Sequence, residues 1–202
     1  MSEKIKHLLF DADGVMLHHS ERRFFDWYID EYAIDKASVV DFFNNVWPAI
    51  LVGKKDIKQE LSKQLKVWHW QGTPEELMHA WYAYEYVANE PLIDYIAWLK
   101  EIGVASSLAT NNDQYRARAM FDFLIRDGAV LDRLYSAGEI GTAKPSKGFF
   151  EHVMTDLDDL QKYEVLFWDD TLANVEAARG FGLKAQVYKT FDEFKEAMKF
   201  YV

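Results

Sequence analysis

The chain has 202 residues, 50% of them hydrophobic and 28% charged, with seven Trp, eleven Tyr and fourteen Phe; this composition excludes a wholly disordered chain and permits a sizeable core. At about 150 residues per domain, the length corresponds to roughly 1.3 domains, one core plus a smaller appended piece. The formal net charge of -10 disfavours a general nucleic-acid or anionic-membrane binder, and the absence of cysteine excludes disulfides, thiolate metal sites and thiol nucleophiles.

The first element is an apolar run, Ile5 to Asp11, that ends in Asp-Ala-Asp-Gly and reads as a strand and a turn. A long helical stretch follows. Phe25, Tyr28, Ile29 and Tyr32 share a face, as do Ile57, Leu61 and Leu65, and then Leu77, Trp81 and Tyr84. Thr73-Pro74-Glu75-Glu76 reads as a helix start, with Thr73 as N-cap and Pro74 in the first position. From there strands and helices alternate. Strands are expected at Gly103 to Thr110, Leu134 to Ala137, Val165 to Asp169 and Lys184 to Tyr188. Helices are expected at Leu92 to Glu101, Gln114 to Ile125, Lys147 to Leu157, Asn174 to Arg179 and Phe191 to Phe200. This alternation predicts an α/β fold, a doubly wound parallel sheet covered on both faces.

One spacing breaks the rhythm. The second good strand begins 92 residues after Asp11. The helix Leu92 to Glu101 is enough for the crossover, which needs about a dozen residues. The surplus is helical in pattern and reads as an inserted helical-bundle cap over residues 17–90, with the core formed by 1–16 and 91–202. An insertion at that point sits over the carboxyl ends of the strands, where open α/β sheets bind ligands.

Polar residues gather at those ends: Asp11 and Asp13 after the first strand, Thr110, Asn111 and Asn112 after the second, Asp169 and Asp170 after the fourth. Lys144 precedes Pro145 in the loop after the third. Four carboxylates in one crevice raise each other's proton affinity unless a cation intervenes. An all-oxygen set with room for water and phosphate suits Mg2+. Lys144 and the Thr110 hydroxyl would serve an anionic ligand beside it, which describes a phosphoryl-transfer site.

Read together, these segments resemble the haloacid dehalogenase (HAD) superfamily, mostly phosphatases and phosphomutases. Leu8-Leu9-Phe10-Asp11-Ala12-Asp13-Gly14-Val15 resembles its first motif, Thr110 after Ser107-Leu108-Ala109 its second, and Ala143-Lys144-Pro145-Ser146 its third. Val165-Leu166-Phe167-Trp168-Asp169-Asp170, with Asn174 after it, resembles its fourth. The place of the insertion resembles the helical-cap (C1-type, subfamily I) members. The phrase Leu51-Val52-Gly53-Lys54-Lys55-Asp56 resembles sugar-phosphate phosphatases and the N-terminal domains of epoxide hydrolases. The resemblance implies that Asp11 attacks phosphorus and that Asp13 protonates the leaving oxygen and then activates water. Thr110 and Lys144 would hold phosphate oxygens, helped by backbone N–H groups near Asp13 and Asn111. Asp11, the carbonyl of Asp13 and Asp170 would hold magnesium, with Asp169 either a ligand or a supporting partner. Family dehalogenases lack an acid at the position of Asp13, so its presence implies phosphate-ester chemistry.

His18 and His19 follow the first motif, and His18 is a candidate for the substrate entrance. No His has a second ligand at zinc spacing. Lys54, Lys55, Lys58, Lys63 and Lys66 read mainly as a solvated face, with Lys54 a candidate to meet an anionic substrate. Trp68, Trp70, Trp81, Tyr82, Tyr84 and Tyr86 either pack the small bundle or stack on a substrate. No stretch approaches the ~18 apolar residues of a membrane span, and no signal peptide is evident in Met1 to Phe10. The expectation is a soluble cytoplasmic phosphomonoesterase, monomer or homodimer, acting on a small phosphorylated metabolite without nucleic-acid or membrane partners. The rivals are a phosphomutase, a receiver-like signalling module and a non-catalytic phosphate-binding protein.

Overall fold

The computed structural model describes residues 4–125 and 130–201, so the outermost ends of the expected core range lie outside the described residues. Five parallel strands form the main sheet in the order β5-β4-β1-β6-β7. They are β1 His7–Phe10, β4 Ala105–Thr110, β5 Arg133–Ser136, β6 Val165–Asp169 and β7 Lys184–Val187. The sheet is the doubly wound one expected from the alternation of strands and helices.

Strand periodicity explains the layering. On β1, Leu8 and Phe10 belong to one apolar cluster and Leu9 to another, because successive side chains point to opposite faces. The first face is covered by α6 Glu90–Glu101, α7 Gln114–Ile125 and α11 Phe191–Met198, through Ile96, Met120 and Phe194 among others. The second is covered by α9 Lys147–Asp156 and α10 Leu172–Phe181, through Phe149, Phe150 and Val175, with the single turn α8 Ala137–Ile140 between β5 and α9. Burial on both faces is why these strands read as short continuous apolar runs.

Residues between β1 and α6 form a separate helical layer: α1 Phe24–Tyr32, α2 Lys36–Asp41, a π-helical turn Phe42–Val46, α3 Trp47–Leu51, α4 Ile57–Ser62 and α5 Pro74–Glu85. It has its own apolar cluster, with Phe24, Tyr28, Phe42, Leu61, Trp68 and Trp81 inside. The start of α5 is the expected one. The Thr73 hydroxyl accepts from the Glu76 N–H, and the Glu76 carboxylate accepts from the Thr73 N–H, so two otherwise unpaired amides are satisfied. Tyr32 and Tyr84, expected on the shared apolar faces, are exposed, at 50% and 38%.

Two short strands were not legible in the sequence. β2 Leu17–His18 pairs antiparallel with β3 Val87–Ala88, in the register Leu17↔Ala88 and His18↔Val87. The two connections between the helical layer and the sheet therefore run side by side. Asn89 fastens this point, donating from Nδ2 to the Val15 carbonyl and to the Tyr188 hydroxyl. A second contact between the layers lies at Gly53, whose φ of +68° suits glycine and where a Cβ would lie 2.3 Å from the Gly138 carbonyl oxygen. Among the described residues, no helix is long and apolar enough to cross a membrane.

Candidate functional site

All five parallel strands point their carboxyl ends to one edge, and the side chains singled out from the sequence meet there. Asp11 follows β1, Thr110 ends β4 and Asp169 ends β6. The register places β1 between β4 and β6, so Asp11 stands at the middle of the edge. This is where the chain order reverses, the crevice that open sheets use for ligands.

Lys144 is the hub. Its side chain is fully buried, and Nζ lies 2.7 Å from Asp169 Oδ2, 2.9 Å from Asp11 Oδ1 and 2.7 Å from the Ala109 carbonyl oxygen. A lysine ammonium has three donors, and all three are used. Burial opposes its charge, but Asp11 and Asp169 outweigh that and hold Lys144 above the ordinary lysine range. Asn111 fixes the main chain of this residue: its Nδ2 donates to the Lys144 carbonyl and its Oδ1 accepts from the Lys144 N–H, both at 2.8 Å. The amide of Asn111 is therefore spent on positioning Lys144. What this residue can offer a phosphate is its backbone, not its side chain.

Asp169 is fully buried and saturated. Oδ1 accepts from the Thr171 N–H and, with Oδ2, from Asn174 Nδ2, while Oδ2 also meets Lys144. Asp170 is different: its side chain is 30% exposed and its Oδ2 lies 3.2 Å from His19 Nε2. Gly14 makes room for it. Gly14 has φ +80°, and a Cβ there would stand 2.1 Å from Asp170 Oδ2. The glycine of the first motif is thus required by its backbone and by the close approach of a carboxylate.

Asp11 accepts from the Ala12 N–H at Oδ1, the same oxygen that meets Lys144. Burial pushes the Asp11 carboxyl well above the usual carboxylate range, with Lys144 opposing that rise and Asp169 adding to it. One lysine does not neutralise this edge. Asp11, Asp169 and Asp170 each place a ligand atom within 4.8 Å of the others. Hard oxygen donors with a residual negative charge fit a divalent cation of the magnesium type.

Asp13 lies to the other side, with 40% of its side chain exposed. It accepts from Arg116 Nη2 at 3.1 Å and from Asn112 Nδ2 at 3.0 Å. The same Asn112 amide donates to Thr110 Oγ1 at 2.7 Å, which links the second motif to the first. Arg116 Nη2 also meets Glu85 at 3.1 Å, and the guanidinium lies over the Trp81 ring. Burial opposes the Arg116 charge, but Asp13 and Glu85 raise its hold on the proton. Arg116, Asn112 and Glu85 carry no role in the sequence reading. Arg116 offered one signal: it is a cation in the first turn of α7, where the helix dipole disfavours positive charge, so it needs a local anion.

Beside this edge lies a polar pocket of about 240 Å³ lined by Asp13, His18, His19, Ser20, Arg23, Glu85 and Arg116. His18 is part of that lining, and His19 makes the contact with the acidic edge. Lys54 is exposed in the turn after α3 and is not part of that lining. Lys55 and Lys63 pair with Glu60, and Lys58 pairs with Glu75, as a solvated face would. Trp68, Trp81 and Tyr82 are buried in the helical layer, so most of the aromatic cluster is packing.

A doubly wound sheet with an acidic, lysine-centred crevice at its carboxyl edge defines an α/β enzyme of the Rossmann-like kind. The chain belongs to the haloacid dehalogenase-like hydrolase family, whose profile matches residues 5–182. Among solved structures it is similar to the HAD family enzyme bt-2542 from Bacteroides thetaiotaomicron, with TM-score 0.80, 18% identity, and 96% of this chain and 98% of that chain covered. That enzyme is also known in complex with magnesium and inorganic phosphate, at TM-score 0.77 and 16% identity, with 96% and 98% covered. An L-2-haloacid dehalogenase from Xanthobacter autotrophicus matches at TM-score 0.61 and 17% identity, over 96% of this chain and 82% of that one. At these identities the likeness establishes the fold. Among curated proteins, drimenol cyclase drtB of Aspergillus calidoustus is 31% identical over 72 residues, 36% of this chain and 13% of that protein. The aligned segment is thus a small part of that relative's length.

Proposed function

We propose that this hydrolase is a magnesium-dependent phosphomonoesterase that acts on a small phosphorylated metabolite through an aspartyl-phosphate at Asp11. The observation that carries the reading is the second carboxylate, Asp13. It is partly exposed, lines the polar pocket, and is aimed by Asn112 and Arg116. Halide departure needs no proton, whereas an alkoxide leaving group does.

The residues divide the work. Asp11 Oδ1 is held by Lys144 and the Ala12 N–H, which leaves Oδ2 to attack phosphorus. Asp13 must enter the cycle protonated on Oδ2, the oxygen that Arg116 does not hold, and as the ester P–O bond breaks it gives that proton to the departing alcohol oxygen. Asp13 then takes a proton from water, the water oxygen attacks phosphorus, and the Asp11 carboxylate leaves. Splitting one displacement into two is what a carboxylate nucleophile contributes. The Thr110 hydroxyl sits on the same edge to meet phosphate oxygens, with backbone amides near Asp13 and Asn111, while Lys144, whose three donors are spent on Asp11, Asp169 and the Ala109 carbonyl, reaches a phosphate oxygen only by exchanging one of those contacts. Asp11, Asp170 and the Asp13 carbonyl would hold the cation, while the saturated Asp169 orients Lys144. The bound ion would screen the repulsion between a dianionic phosphate and the nucleophile. Residues 17–90 act as a cap that excludes water from the edge.

The test is hydrolysis of an aryl phosphate by the protein with and without magnesium. EDTA should abolish phosphate release and magnesium restore it. Asp11→Asn should lower turnover by about 10⁴-fold or more while circular dichroism stays native. Metal-independent turnover, or an active Asp11→Asn variant, would refute the proposal.

A further inference from the structure

Next to the polar pocket lies a second cavity, of about 390 Å³, among the helices of the separate layer, with exposed Lys36, Val40 and Asn44 at its rim. Its volume falls within the range of about 300–1,000 Å³ typical of small-molecule sites. The two cavities share Arg23, Glu85 and Arg116 in their linings, so they adjoin at the ion pair that also holds Asp13. Beyond that pair the surface changes character. Phe25, Val40, Phe43, Trp47 and Trp81 form much of the second wall, and charged groups such as Lys36 and Asp26 are exposed. Trp81 is buried and already carries the Arg116 guanidinium 5.2 Å from its ring centroid. Recognition of a sugar needs several fixed donors and acceptors; of the polar side chains in this lining, Glu85 and Arg116 are tied to each other, and Arg23, Asp26, Lys36 and Asn44 are exposed at the rim.

We infer that the alcohol part of the substrate is predominantly apolar and lies in this cavity, so that the chain acts on phosphate monoesters of apolar alcohols rather than of sugars. The inference rests on the phosphomonoesterase reading and narrows its substrate class. The ester oxygen that Asp13 protonates lies at the junction of the two cavities. An alcohol chain leaving that oxygen passes the Arg116–Glu85 pair and enters the aromatic wall, where each methylene removed from water adds to affinity.

Methyl phosphate and octyl phosphate have the same kind of primary alkoxide leaving group, so their difference reads binding and not chemistry. The magnesium-loaded protein should hydrolyse octyl phosphate with kcat/KM at least about 100-fold above methyl phosphate. Val40 is 45% exposed, so a larger side chain is accommodated there without burying strain in the core. Val40→Phe fills part of the cavity and should lower the octyl-to-methyl ratio about tenfold. Equal kcat/KM for the two esters, or a ratio untouched by Val40→Phe, overturns the inference. If neither ester is hydrolysed while the aryl phosphate is, the inference is overturned and the phosphatase reading stands; if the aryl phosphate is not hydrolysed either, the phosphatase reading fails by itself, and octyl phosphate binding still decides the cavity. Quenching of tryptophan fluorescence by octyl but not methyl phosphate, weakened in Val40→Phe, supports it; no quenching by either overturns it.

Discussion

Replacing Lys144 by Met removes the cation on which the acidic edge is built, and the size of the effect follows from its contacts. The Lys144 and Asp169 side chains are both fully shielded from solvent, 2.7 Å apart, and Asp11 is only 13% exposed. Taking away one partner of a buried pair leaves an uncompensated charge and costs about 3–5 kcal/mol. The Ala109 carbonyl loses its donor as well, so the upper part of that range applies. In a domain of this size, about 1 kcal/mol shifts Tm by roughly 2–4 °C, so a loss of about 4–5 kcal/mol should lower the melting point of Lys144→Met by about 8–20 °C. The assay is urea and thermal unfolding in EDTA, so that bound cation does not add its own stabilisation. Lys144→Met combined with Asp169→Asn removes the stranded carboxylate and should recover about 2 kcal/mol relative to the sum of the single changes. A loss below about 1 kcal/mol in the single variant, or strict additivity in the pair, would refute the view of Lys144 as the charge hub.

Three further changes probe other parts of the molecule. Burial pushes the His7 imidazole down from 6.5 to about 4, and it is hydrogen-bonded to Ser107. The unfolded chain therefore binds more protons between those values, so stability is full above the unfolded pKa and falls as pH drops towards 4. His7→Gln should flatten that fall by about 3 kcal/mol in pH-dependent urea titrations, and an unchanged pH slope would contradict it. Gly14→Ala forces a left-handed residue and displaces Asp170; the magnesium needed for half-maximal activity should rise about 10–100-fold, and an unshifted requirement would separate Asp170 from the cation. Asp13→Asn should slow alkyl phosphates by about 10²–10⁴-fold and nitrophenyl phosphate far less, whereas equal losses would remove Asp13 as the acid.

The sheet and the acidic edge were legible because each rests on a local pattern. Leu8, Leu9 and Phe10 form a continuous apolar run since both faces of β1 are covered, and Asp11 marks where that cover stops. Thr73 and Glu76 announced α5 through a cap that depends only on neighbours in sequence. What the sequence concealed depends on distant partners. β2 and β3 have two residues each and exist because Leu17 and Ala88, far apart in the chain, pair at the neck of the helical layer. Arg116 looks like one more charge on an amphipathic helix until Asp13, Glu85 and Trp81 close around it. Asn111 read as a phosphate-binding position through the backbone N–H groups near it; its side-chain amide, spent on the Lys144 main chain 33 residues away, was not legible. Asp169 and Asp170 are adjacent and chemically identical; only their burial and hydrogen-bond partners separate a saturated anchor from a partly exposed carboxylate.

The central claim is that phosphate passes through Asp11. Mixing the magnesium-loaded protein with an aryl phosphate, quenching within one turnover and reducing with borohydride converts a trapped aspartyl-phosphate to homoserine. Peptide mass spectrometry should find that conversion at Asp11 and nowhere else, and find none in Asp11→Asn. Turnover without modification, or modification at Asp13 or Asp170, would contradict the assignment.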